Sequence, residues 1–166
     1  PFCAYGQTAN LAIRLEAFQQ IGLFRPYLTT GGDADICWRI LRETAWKLDF
    51  AETAIVRHRH RTTFTELQSQ WRRYGRSNRY LHELHGIDLM REPNFAEYRY
   101  RMMRWMLKEL PIASLKLMAG KANLVDLINT PIGLFCLQAR AEGQREAKLS
   151  DEAKAIERLP VAASQS

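Results

Sequence analysis

From Thr63 to about Lys148 the chain is a succession of segments with helical spacing, and this most limits what it can fold into. A chain that spends half its length this way builds its core by laying helix on helix. Thr63-Phe-Thr-Glu66 has capping-box spacing and opens a long helix running to about His85. Phe64, Leu67, Trp71, Tyr74, Leu81 and Leu84 mark its apolar face, and Gly86 supplies the stop. A basic amphipathic helix is expected over 94–110, ended by Pro111. Short apolar helices follow at 112–119 and 122–128, then a longer one over 130–148 with Pro131 in its first turn.

Residues 1–62 have a different texture. PFCAYGQTAN reads as the end of a strand entering a loop. Helical spacing through Leu15, Phe18 and Ile21 ends at Gly22. A second helix is expected from Asp33 to Thr44, with Ile36, Ile40 and Leu41 as its buried stripe. WKLDF at 46–50 alternates apolar and polar residues, and AIVRH at 54–58 follows a short turn; both predict strands. The expected fold class is therefore α+β and predominantly helical. It has an α+β portion at 1–62, a helical portion at 63–150 and a disordered tail at 151–166.

The formal net charge of +6 and the pI of about 9.5 fit an anionic partner: a phosphorylated molecule, an anionic membrane surface or nucleic acid. The lysines and arginines are spread along the whole chain, which argues against a dedicated nucleic-acid groove, and no nucleic acid is expected. Three widely spaced cysteines (Cys3, Cys37, Cys136) make neither a disulfide framework nor a zinc ribbon, and fit a reducing, cytoplasmic setting. No apolar run is long enough to span a bilayer. The chain begins at Pro1 without a methionine and reads as part of something longer.

Three clusters carry candidate chemistry. Asp33 and Asp35 follow Gly31-Gly32 at the mouth of the second helix. An aspartate there caps the helix and complements its dipole. It also suits a general base beside a ligand that flexible glycines let approach. His58 and His60 sit two apart among arginines, a pattern open to a metal or diphosphate site as well as to a plain solvated stretch. Gln70, Arg73 and Tyr74 fall within one helical turn, where an amide, a guanidinium and a ring can bind a diphosphate and stack on a sugar or base.

In order, GQTANLAIRLEAFQQIGLF, TTGGDADICWRI, WKLDFAETAIVRHRHRTT and QSQWRRYG resemble the second half of family 2 glycosyltransferases, over about residues 4–85. These are inverting enzymes of GT-A fold that use nucleotide-sugar donors. The resemblance implies the acceptor-side half of a GT-A domain, short strands plus helices, followed by a helical extension. It makes Asp33 the base that deprotonates the acceptor hydroxyl; the family's preceding glutamate is here Gly32. Asp35, Asn10 and Tyr74 fall to acceptor binding, and Gln70 and Arg73, in a QxxRY version of the family's QxxRW motif, to the donor diphosphate. His58, with His60 beside it, falls to a divalent cation, Mg2+ or Mn2+. Arg39 matches a position that braces the helix behind the aspartates.

Neither a nucleotide-binding half nor a metal-binding DxD precedes these motifs. The expected partners are thus the nucleotide-sugar donor, a polysaccharide, lipid-linked or cell-envelope acceptor, and an N-terminal half of the same protein. The isolated chain is expected to be inactive. Trp105, Met102, Met103 and Met106 among basic residues offer peripheral contact with the inner face of the cytoplasmic membrane. Self-association would cover surface left open by a missing half. The competing expectation is a basic helical nucleic-acid-binding module or a non-catalytic scaffold in which Asp33 only caps a helix.

Overall fold

The computed structural model describes residues 4–59 and 61–159. Its helices are α1 (Leu15–Ile21), α2 (Gly32–Glu43), α3 (Phe64–His85), α4 (Phe95–Arg104), α5 (Leu110–Met118) and α6 (Leu124–Glu146). A π-helical turn, Trp105–Glu109, joins α4 to α5. Short 3-10 turns occupy Thr8–Asn10 and Glu152–Lys154. Among the described residues there is no strand. The expected α+β class, with its half GT-A domain of short strands plus helices, is overturned.

The strands expected at 46–50 and 54–58 show why. Both stretches are free of helix, as their sequence pattern requires, but a strand exists only where a second backbone pairs with it. Here the chain turns on itself between them, with Ala54 N–H donating to Ala51 O at 3.0 Å. No ladder forms, and Phe50 and Ile55 stay exposed.

The helix-forming half behaves as its caps dictate. Thr63 and Glu66 exchange both capping bonds at the head of α3, and Gly86, in the left-handed region, ends it. Asn94 and Glu97 do the same for α4. Two proline expectations fail instructively. Pro111 does not stop the helix: the π turn carries Leu110 N–H back to Trp105 O, opening the ladder where the pyrrolidine ring enters. Pro131 lies inside α6, which starts at Leu124 and runs through the gap expected near 129. The Leu127 carbonyl that Pro131 cannot bond accepts the Trp105 indole N–H instead, at 2.8 Å.

α3 and α6 run in the same direction and pack closely. Phe64 meets Phe135 edge to face at 6.0 Å, and further along Gly75 lies against Arg140 and Gln144. Gly143 in turn lies against the Arg72 backbone. A Cβ on Gly75 would sit 2.7 Å from Gln144 N and closer still to Arg140 O. Gly75→Ala should therefore force the helices apart and destabilise the chain by about 1–3 kcal/mol, despite alanine's better helix propensity. Thermal unfolding followed by far-UV circular dichroism would read this as a lower midpoint.

Residues 151–159, expected in a disordered tail, instead turn at Glu152–Lys154 and lie over the end of α1. Leu23 N–H donates to Glu157 O at 2.7 Å, and Gly22, at φ +82°, leaves room for Ile156 and Glu157. Two buried clusters complete the amino-terminal half. Ala17, Ile21, Ile36, Cys37 and Ile40 join α1 to α2, while Ala34, Trp38, Leu81 and Ile87 join α2 to α3.

Candidate functional site

α2 opens at Gly31, whose φ of +81° is left-handed. Ser77 and Leu81 of α3 close over it; a Cβ there would lie 2.6 Å from Ser77 Oγ. Gln70, Tyr74, Ser77 and Leu81 follow one another at spacings of four, three and four, so they share one face of α3. The GGDAD turn and the QxxRY helix thus meet along that face, through tertiary packing between segments forty residues apart in sequence.

The two aspartates go opposite ways. Asp35 is fully buried. Its Oδ2 accepts from Arg39 Nε at 3.1 Å, and its Oδ1 from Arg25 Nε at 3.1 Å. His85 Nε2 lies 2.9 Å from the same Oδ1. Arg39, itself buried, also donates to Ile21 O at 2.9 Å and Leu23 O at 2.7 Å. Arg25 also reaches the Lys154 carbonyl. His85 stands edge-on to Trp38 at 5.3 Å, and Arg42 lies over the Trp38 ring at 5.9 Å. One carboxylate thereby ties together α2, the end of α1, the end of α3 and the carboxy-terminal segment.

Burial pushes the Asp35 carboxyl up, but the His85 hydrogen bond and the Arg39 and Arg25 charges outweigh it and hold the group below the ordinary value of 3.8. The stabilisation from this ionised group is complete above that ordinary value and is lost as pH falls through the lowered one. Urea unfolding of the chain should lose stability on acidification below about pH 4, while Asp35→Asn, which has no carboxyl to titrate, should lose less over that range.

Asp33, two residues earlier, is only half-buried, and its Oδ1 accepts from the Ala34 N–H at 2.9 Å. Among the described residues it pairs with no arginine or histidine. The Asp33 carboxylate is therefore the member of the pair that is not sealed in, next to the Gly31-Gly32 turn.

The other expected site residues are distributed unevenly. Gln70 Nε2 donates to Tyr74 Oη at 2.7 Å, and Trp71 stands edge-on to the Tyr74 ring at 5.7 Å, giving a pre-arranged amide–aromatic patch. Arg73 beside them is exposed. Asn10 is turned elsewhere: its Nδ2 donates to Ala54 O at 2.7 Å and pins the 51–54 turn against the amino-terminal loop. With Trp46, Cys37 and Leu48 it lines a largely apolar cavity of about 710 Å³, whose walls do not include Asp33. Asn10 is therefore not brought to the aspartate turn.

His58 is exposed on the extended stretch before α3, and His60 lies outside the described residues. Among the described residues no three His, Cys, Asp or Glu side chains converge to hold a metal ion. Nor is any helix among them long and apolar enough to cross a membrane. Cys37 and Cys136 are free and buried, and burial pushes both thiols up.

Spacing gave no sign of His85 or Arg25. His85 sits just before the Gly86 stop, an ordinary place for a basic residue at a helix end. Only the fold carries it fifty residues back to Asp35.

No family model matches the chain, and no solved structure matches it. Over 74 residues it is 31% identical to the pre-mycofactocin glycosyltransferase of Mycobacterium tuberculosis, both in strain CDC 1551 / Oshkosh and in strain H37Rv. The match covers 45% of this chain and 16% of those proteins, so the chain corresponds to a small part of the relatives it matches. Over just under half its length, the chain is distantly similar to a glycosyltransferase.

Proposed function

We propose that this chain is the acceptor-handling part of an inverting glycosyltransferase, one that moves a sugar from a nucleotide-sugar donor to a hydroxyl group of a glycan or lipid-linked acceptor. The observation that carries the reading is the unequal treatment of two neighbouring carboxylates. Asp35 is fixed by three cationic or hydrogen-bonding partners, while Asp33 is half-buried beside a glycine turn that packs on Ser77 and Leu81 of α3, the helix that also carries Gln70 and Tyr74. The 31% identity to a glycosyltransferase supports sugar transfer as the chemistry.

In this reading Asp33 accepts the acceptor's hydroxyl proton as that oxygen forms its bond to the anomeric carbon. The bond from that carbon to the nucleoside diphosphate breaks in the same displacement, on the opposite face, which inverts the configuration. The Tyr74 ring offers a stacking surface for a sugar, and exposed Arg73 offsets negative charge on the departing diphosphate. Asp35 acts as a positioning residue, holding the first turn of α2 in place. A divalent cation, Mg2+ or Mn2+, would need ligands beyond His58 and would supply charge to offset the departing diphosphate.

The deciding experiment is Asp33→Asn in a protein that also carries the donor-binding part. Lost turnover with retained folding supports the proposal; undiminished turnover overturns it. Arg73→Ala should raise the KM for the nucleotide sugar about tenfold or more and weaken nucleoside diphosphate binding to match, measured by initial rates and by titration calorimetry.

A further inference from the structure

The hairpin formed by α5 and the first half of α6 is apolar in the wrong place for a globular domain. α5 reads LPIASLKLM, apolar almost all round, and none of its residues is buried. The π turn before it and α4 contain no buried residue either. A helix apolar on every side belongs in a protein core or at a membrane. This one is not in a core. α4, the π turn and α5 pack on α6, with Trp105 bonded to the Leu127 carbonyl and Glu109 to Thr130. α3, however, begins only opposite Phe135. Around the α5–α6 turn, Leu115, Met118, Leu124 and Val125 are left exposed.

Its exposed side chains are ordered. Leu107, Pro111, Leu115 and Met118 follow one another at spacings of four, four and three, a single outward stripe. Leu115 is 68% and Met118 86% exposed, and Leu124 and Val125 continue the apolar surface across the turn. Lys108 and Lys116 lie beside the stripe, and Lys121 lies in the turn itself. Residues 101–128 hold five lysines and arginines against two acidic residues, and one of the two, Glu109, is already bonded to Arg104 and Thr130. Thus the patch is apolar at its centre and cationic at its rim.

We propose that this hairpin is a peripheral docking surface for a membrane rich in anionic lipid. Met118, Leu115 and Leu124 would enter the acyl boundary, and Lys108, Lys116 and Lys121 would meet the headgroup phosphates. The exposed apolar side chains flanked by Lys108, Lys116 and Lys121 favour an anionic bilayer, because cationic side chains beside an apolar stripe match headgroup phosphates above acyl chains. No helix among the described residues spans a bilayer, so the contact is interfacial. Membrane docking through this surface does not require sugar transfer at Asp33.

The test is co-sedimentation of the full chain with phosphatidylcholine vesicles, with and without phosphatidylglycerol. Binding is expected with the mixed vesicles and should weaken as salt is raised. The pair Leu115→Glu and Met118→Glu, at exposed positions, should weaken it at least about tenfold with helical circular dichroism unchanged. The pair Lys116→Glu and Lys121→Glu should remove the preference for phosphatidylglycerol, about fivefold per lysine. Failure to sediment with either vesicle overturns the proposal, as does binding that ignores the glutamate pair. A dimer in light scattering that the glutamate pair dissociates, with no vesicle binding, overturns it too, by showing a second copy of the chain on this face.

Discussion

Replacing Asp35 with alanine should destabilise the chain by about 3–5 kcal/mol, the range for breaking a buried ion pair from one side. Arg39 is only 2% exposed and cannot move its charge to water without unpacking α2 from the end of α1. It would keep its bonds to the Ile21 and Leu23 carbonyls but lose its counter-ion. Arg25 and His85 would lose their shared acceptor at the same time. Asp35→Asn retains the shape and one acceptor oxygen without the charge, so a smaller loss is expected. A double substitution removing both charges, Asp35→Leu with Arg39→Met, should recover much of the loss, because the larger penalty lies in leaving one charge behind. Urea unfolding of the three variants checks this. A loss below about 1 kcal/mol for Asp35→Ala would mean that the cluster is not what fixes α2.

Asp33→Asn should have the opposite profile. Removing a general base slows turnover by about 10²–10⁴-fold. Asparagine is nearly isosteric and is as good at a helix start as aspartate, so the unfolding free energy should move by less than about 1 kcal/mol. The Ala34 N–H, which now donates to Asp33 Oδ1, keeps an oxygen to donate to. Donor binding should also persist, because the Gln70–Tyr74 patch lies on another helix. The contrast between the two neighbours is the discriminating readout. Asp35 variants lose stability first and activity with it; Asp33 variants lose activity alone. If Asp33→Asn turned over normally, or if it unfolded the chain as Asp35→Ala does, the carboxylate would be a helix cap and no more.

The helical half was legible because its signals are local. Thr63 with Glu66 and Gly86 at the far end fix α3 to within a residue of where it lies. Gly22 and the apolar spacing of Leu15, Phe18 and Ile21 do the same for α1. The prolines misled for a physical reason. Pro111 and Pro131 each remove one ladder bond, and whether a helix survives that depends on what replaces it. At Pro131 the replacement is the Trp105 indole, twenty-six residues away in sequence. The strands misled in the converse way. WKLDF and AIVRH have the right alternation, but a strand needs a second backbone, and alternation within one segment carries no information about its partner.

By itself, the sequence determined the ends of α1 and α3, the start of α4, the buried Ile36 and Ile40 of α2, and the crowding of two aspartates behind a glycine pair. All of these depend on residues within a turn or two of one another. Only the tertiary structure decided which aspartate is sealed in and which is not. Asp33 and Asp35 differ little in their local setting, and the choice was made by Arg25, Arg39 and His85 converging on one of them. Two of those partners arrive from outside α2, one of them from the far end of α3. A buried charge is stable only where its counter-charges meet it, and where distant segments meet is a property of the folded chain.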